Sequence, residues 1–179
     1  HRIQYTYPNV RVHGIELQKD IARLGGKVCD IVQGDVEEMN LTDSGRKYDY
    51  IILGDILEHL REPALLLKRL RQILNKDGAV ITSIPNVMHA SVIVPLLQGR
   101  WDYSEAGILA ATHLRFFTKD SIIKMFTECD YQIEEMSGII FKAEELHTKE
   151  DNWFKRLTTE DATADPIEFE IYQYIVLAR

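Results

Sequence analysis

Cysteine is scarce: the 179 residues include two, Cys29 and Cys129. They lie a hundred positions apart, match no metal-ligand spacing and argue against a structural disulfide, which points weakly to the cytoplasm. Long apolar runs are missing too. None reaches the roughly 20 residues that a membrane span needs, and no signal-peptide pattern is visible. Basic charge is short: 21 Lys and Arg stand against 28 Asp and Glu, a formal net charge of −7. Polyphosphate is repelled by such a surface, so nucleic acid is not an expected partner. The one basic stretch, LKRLR at Leu67–Arg71, falls on a helix with an apolar opposite face and reads as a solvated surface. Repeats, low-complexity segments and a clear linker are also absent.

What remains is an ordinary globular composition, 45% hydrophobic and 27% charged, with a length that suits one domain over residues 1–179. VRVHGIE (Val10–Glu16) reads as a strand and LQKDIARLGG as a helix stopped by Gly25 and Gly26. DIVQGD is a short strand. YDYIIL, from Tyr48, is a buried one. A helix follows with Pro63 in its first turn, and Leu66, Leu70, Ile73 and Leu74 form one apolar stripe. NKDG (Asn75–Gly78) reads as its stop. AVITSIP (Ala79–Pro85) is a fourth strand, and ASVIVPLLQG a helix interrupted or kinked at Pro95. Thr118 caps the helix KDSIIKMFTECD. YQIEEMSGIIFKAEEL reads as a strand followed by a connection, DNWFKRLTTED as a short helix, and Ile167–Arg179 as a long closing strand. This order predicts an α/β fold: a doubly wound, Rossmann-like, mostly parallel sheet in three αβα layers, with an antiparallel C-terminal edge strand.

In an open parallel sheet, ligands bind beyond the carboxyl ends of the strands. Three of these strands end in acids, Glu16, Asp35 and Asp55, which are expected along one rim. A carboxylate there can accept both hydroxyls of a ribose, and one a strand further on can accept from an exocyclic amine. The pattern suits an adenosine-containing ligand. The plain reading of each acid alone is strand termination and solubility.

The stretches VHGIE, IVQGDVE, YDYIILGDILEHLREPALLLKRL, SIPNV and ATHLRFFT together resemble class I S-adenosylmethionine-dependent methyltransferases, most closely bacterial small-molecule enzymes of glycan-associated type. The resemblance covers about Val10 to Tyr131. It implies S-adenosylmethionine as cofactor, and methyl transfer to oxygen or nitrogen of a small molecule, a sugar or a nucleotide-sugar. It gives Glu16, with Leu17 beside it, the ribose; Asp35 and Val36 the adenine; Gly54, Asp55 and His59 the methionine part; and Asn86 and His113 the acceptor side. It also implies a first strand and glycine-rich loop just before residue 1, absent from this chain, with HRIQYTYPNV as the tail of the helix that follows. Where the family often has an acid and a base before THLRFF, this chain has Ala110 and Ala111. A homodimer is a further expectation.

If the acceptor is a hydroxyl, a general base helps, and histidine has a suitable pKa. His113 and His59 are the candidates, with His89 third. His1, His13 and His147 have no context pointing to chemistry. Asp55, Glu58 and His59 form a D-x-x-E-H cluster, similar to a group that holds a divalent metal in some quinone-pathway O-methyltransferases. The plain reading is that Glu58 and His59 open a helix, and no metal is assigned. Trp101 and Tyr103 read as a lid over the acceptor or as packing. Two other classes stay open: a non-catalytic binding or assembly module that keeps the fold, and a nicotinamide oxidoreductase, for which no hydride-transfer constellation is evident.

Overall fold

The computed structural model describes residues 5–141 and 166–179. The DNWFKRLTTED helix expected at 151–161 lies outside them. The chain divides into two compact units, His1–Arg46 and Lys47–Arg179.

In the first unit, strand β1 (His13–Glu16) pairs in parallel with β2 (Asp30–Gln33), and helix α1 (Lys19–Gly25) connects them. A parallel pair needs such a crossover, because the chain must return to the same end before its next strand starts. Gly25 is where the helix meets the sheet: a Cβ there would lie 2.3 Å from Ile31 Cδ1. The register sets Glu16 opposite Gln33, so the carboxyl ends of the two strands lie side by side.

The second unit holds a four-stranded sheet in the order β3-β4-β6-β5, made of β3 (Tyr48–Gly54), β4 (Leu74–Pro85), β5 (Ile133–Ile140) and β6 (Ile171–Ala178). β3 and β4 are parallel, whereas β6 runs antiparallel to both β4 and β5. This corrects the expectation of a C-terminal edge strand: β6 is interior and β5 takes the edge. Its composition gives the reason. Ile171, Tyr174, Val176 and Ala178 are buried, and a strand with so much apolar surface gains most between two neighbours. The closing strand is also shorter than expected, because Pro166–Phe169 forms a 3-10 turn ahead of it.

NKDG is not a helix stop. Helix α2 (Pro63–Arg71) has already ended, and β4 begins at Leu74. The register jumps from Tyr48↔Leu74 to Tyr50↔Ala79, so the tetrapeptide is taken up as an irregularity within the strand. Glycine is required at its end: a Cβ on Gly78 would lie 2.8 Å from the Tyr48 carbonyl oxygen.

Helix α3 (Ala90–Leu97) runs through Pro95 without interruption. Helix α4 (Lys119–Glu128) opens on a capping box, in which Thr118 Oγ1 accepts from Ser121 N and Ser121 Oγ from Thr118 N. The core of this unit is formed by Leu57, Leu66, Leu67, Val80, Ile84, Ile122, Phe126 and Val176, all buried. Leu66, Leu70 and Ile73 of the expected stripe belong to it. The Tyr131 hydroxyl donates to the Leu67 carbonyl at 3.0 Å, and the Arg71 guanidinium lies 4.9 Å from the centre of its ring. Desolvation pushes that phenol up to about 12.

Candidate functional site

At the end of β1, Glu16 Oε1 accepts from Gln18 N at 2.8 Å, a short turn that fixes the carboxylate where the strand stops. Beside it, Gly34 N donates to the Glu16 carbonyl, and Gln33 Nε2 to the Leu17 carbonyl. Asp35 follows β2 and closes the same kind of turn, accepting from Glu37 N at 2.9 Å. Glu16 and Asp35 therefore stand at neighbouring strand ends of one unit. Each keeps a second carboxylate oxygen with no protein partner among the described residues. Leu17 is exposed and Val36 half-buried.

At the end of β3, Gly54 pairs with Ser83, and Asp55 takes a left-handed backbone with φ +52°. A non-glycine residue holds such a conformation only where its surroundings impose it. Here they do. Asp55 N donates to Ser83 Oγ at 2.9 Å, Ser83 Oγ donates to Asp55 Oδ1 at 3.0 Å, and Gln173 Nε2 donates to the same oxygen. Three strands, β3, β4 and β6, thus fix one carboxylate beyond their ends.

Immediately after Asp55 the chain turns through the 3-10 segment Leu57–His59. A distant stretch docks on that turn: Leu114 N and Arg115 N both donate to the Glu58 carbonyl, at 2.8 and 3.0 Å. Arg115 Nε donates to the Arg61 carbonyl at 3.1 Å. Docking brings His59 and His113 together, their rings edge to face with centroids 4.7 Å apart. His59 Nδ1 lies 3.0 Å from the Thr112 carbonyl oxygen, and His113 Nδ1 2.9 Å from that of Ile108. A carbonyl only accepts, so in each neutral ring Nδ1 carries the hydrogen and Nε2 keeps its lone pair. Burial, the largest influence, together with neighbouring His59, pulls His113 below the usual 6.5, against the opposing pull of the Ile108 carbonyl and Asp55.

Glu58 sits against this pair. It is 1% exposed, and neither carboxylate oxygen has a donor from another residue among those described. Desolvation pushes its carboxyl up to about 7, with Asp55 adding to the rise and its own backbone N–H opposing it. Donor atoms of Glu58, His59 and His113 all lie within 4.8 Å of one another.

Two other residues play structural parts. Asn86, expected on the acceptor side, is fully buried. Its amide nitrogen donates to the Glu168 and Ile171 carbonyls at 2.8 Å, and its oxygen accepts from Met88 N. His89 caps α3 through Ser91 N, and its Nε2 meets the Phe141 carbonyl at 2.9 Å. Trp101 and Tyr103 both flank Phe116, at 5.3 and 6.4 Å between centroids, and remain exposed. No helix among the described residues is long and apolar enough to cross a membrane.

Parallel strands joined by helices, with acids beyond their carboxyl ends, define an α/β protein of Rossmann-like class. Solved structures share this fold. A SAM-dependent methyltransferase from Archaeoglobus fulgidus superposes with TM-score 0.64 at 13% identity, covering 99% of this chain and 79% of that one. Magnesium protoporphyrin IX methyltransferase from Synechocystis PCC 6803, with bound SAH, gives 0.60 at 13%, covering 98% and 67%. The chain belongs to the methyltransferase domain family, whose model matches residues 4–136. Among curated proteins, the ubiquinone biosynthesis O-methyltransferase of Rickettsia canadensis is 23% identical over 127 residues, 71% of this chain and 52% of that protein. That of Azorhizobium caulinodans is 25% identical over 118 residues, 65% and 45%. The chain therefore spans about half the length of the curated relatives it matches.

Proposed function

We propose that the protein is a SAM-dependent methyltransferase that moves a methyl group from S-adenosylmethionine to an oxygen of a small-molecule acceptor. The observation that supports this most is the family match, which spans all three strand-end acids. In this reading Glu16, with Leu17, holds the ribose hydroxyls. Asp35 and the Val36 backbone hold the adenine. Gly54 and Asp55 lie against the methionine part with His59 nearby. Methyl transfer is an in-line displacement at a sulfonium, and much of its acceleration comes from holding donor and acceptor collinear with water excluded. A fixed carboxylate such as Asp55 suits that task better than a mobile one.

The acceptor proton needs a destination. His113, whose burial favours the neutral ring, offers a lone pair on Nε2, and His59 offers a second. Oxygen is favoured over nitrogen because the curated relatives are named O-methyltransferases. Sugars and nucleotide-sugars remain the acceptor class proposed from the sequence, and hydroxylated rings are the alternative that those relatives suggest.

The test is transfer of labelled methyl from S-adenosylmethionine to a panel of sugars, nucleotide-sugars and catechols, run beside calorimetry with S-adenosylhomocysteine. Binding together with transfer to one class supports the reading and selects the acceptor. Absence of binding at millimolar S-adenosylhomocysteine refutes it in favour of a non-catalytic module.

A further inference from the structure

We propose that Glu58, His59 and His113 form a site for one divalent transition-metal ion of the zinc class. The proposal does not rest on the methyl-transfer reading. Its first support is proximity across sequence: the two histidines are 54 positions apart, yet donor atoms of all three residues come within 4.8 Å of one another.

The second support is orientation. Both imidazoles hold Nδ1 against a backbone carbonyl, Thr112 for His59 and Ile108 for His113. That contact leaves Nε2 as the free donor in both rings. Metal-binding histidines are fixed in this manner, the far nitrogen tied to an oxygen so that the near one points at the ion.

The third support is the carboxylate. Glu58 is buried, and no other described residue donates to either oxygen. A carboxyl in that position either keeps its own proton or, once ionised, needs a hydrogen-bond donor or a cation. The described segments supply no donor to it, although they hold the Glu58 backbone through two amides, Leu114 N and Arg115 N.

The set differs from the D-x-x-E-H group visible in the sequence. The Asp55 carboxylate is engaged by Ser83 and Gln173, and His113 takes the third place. Two imidazoles and one carboxylate suit zinc, cobalt or iron better than magnesium, which prefers oxygen alone. Zinc bonds of about 2.0–2.2 Å set ligand atoms roughly 3–3.5 Å apart. Closure therefore needs donor shifts of about 1 Å, and partly exposed His59 has room for that. Three protein ligands leave coordination open to water or to an acceptor oxygen. A hydroxyl bound there would lose its proton more readily, so the histidines would serve it through the ion.

The whole chain, stripped with EDTA, is titrated with Zn²⁺ by calorimetry and with Co²⁺ by visible absorption. One equivalent is expected, with Co²⁺ bands in the visible. Glu58→Gln and His113→Gln should each weaken binding about tenfold or more, whereas His13→Gln leaves it unchanged. Circular dichroism checks folding. Should Glu58→Gln fail to fold, His113→Gln and His59→Gln, at partly exposed positions, decide. No uptake by the native chain overturns the proposal, and so does uptake that survives the histidine replacements.

Discussion

Replacing Glu58 by glutamine in metal-free protein should change how stability depends on pH. The native carboxyl is pushed up to about 7 from its ordinary 4.5. In the folded state it therefore holds its proton more tightly than in the unfolded chain. The stabilisation from that proton is complete below about pH 4.5 and is lost as pH rises through about 7. The gap spans about 2.5 pH units, and at 1.36 kcal/mol for each unit the loss is about 3 kcal/mol. Glutamine has the same shape and no proton to lose. Its buried amide carries its own desolvation cost, about 1–3 kcal/mol, but that cost does not vary with pH. The informative quantity is thus the stability difference between the two proteins as a function of pH. Urea unfolding in EDTA from about pH 4.5 to 8 should show the variant gaining about 2–3 kcal/mol on the native protein across the window. Every other ionisable group is common to the two proteins and largely cancels in the difference. Parallel pH profiles would refute the reasoning, because they would mean that the carboxylate ionises in the fold without penalty.

Glu16→Ala should weaken S-adenosylhomocysteine binding by on the order of 1–3 kcal/mol, the range for hydrogen bonds to a charged group; unchanged affinity by calorimetry removes Glu16 from the ribose. His113→Ala should lower turnover and leave S-adenosylhomocysteine affinity nearly intact, and full turnover would exclude it from the acceptor's proton. Because His113 is held below 6.5, the acidic limb of the native pH–rate profile should fall below that value and disappear in the variant. Thr118→Ala removes the capping box of α4 and should cost about 1 kcal/mol, read as a lower urea midpoint with an unchanged slope.

Much of the scaffold was legible in the residues, for local reasons. The apolar run at Tyr48–Leu53, the proline at 63 and the threonine at 118 each carry a signal within a few positions. The strand-end acids were legible for the same reason. What could not be read depends on how distant segments meet. NKDG carries every sign of a turn, and only its pairing against Tyr48 makes it part of a strand. Asn86 looks like a site residue until β6 and the turn before it supply carbonyls to its amide. Glu58 stands beside His59 in the sequence, but its closeness to His113 follows from the docking of Leu114 and Arg115 on its own carbonyl. No periodicity encodes that.

The place of β6 has a mechanical consequence. The sheet is a series circuit: among the described residues β5 has β6 as its sole lateral neighbour, and β6 alone joins it to β4. Unzipping that single strand would detach β5, free Gln173 from Asp55 and strip Asn86 of the Ile171 carbonyl in one event. Amide exchange in β5 should therefore never be slower than in β6, and any opening of β6 should be felt at the strand ends where Asp55 stands.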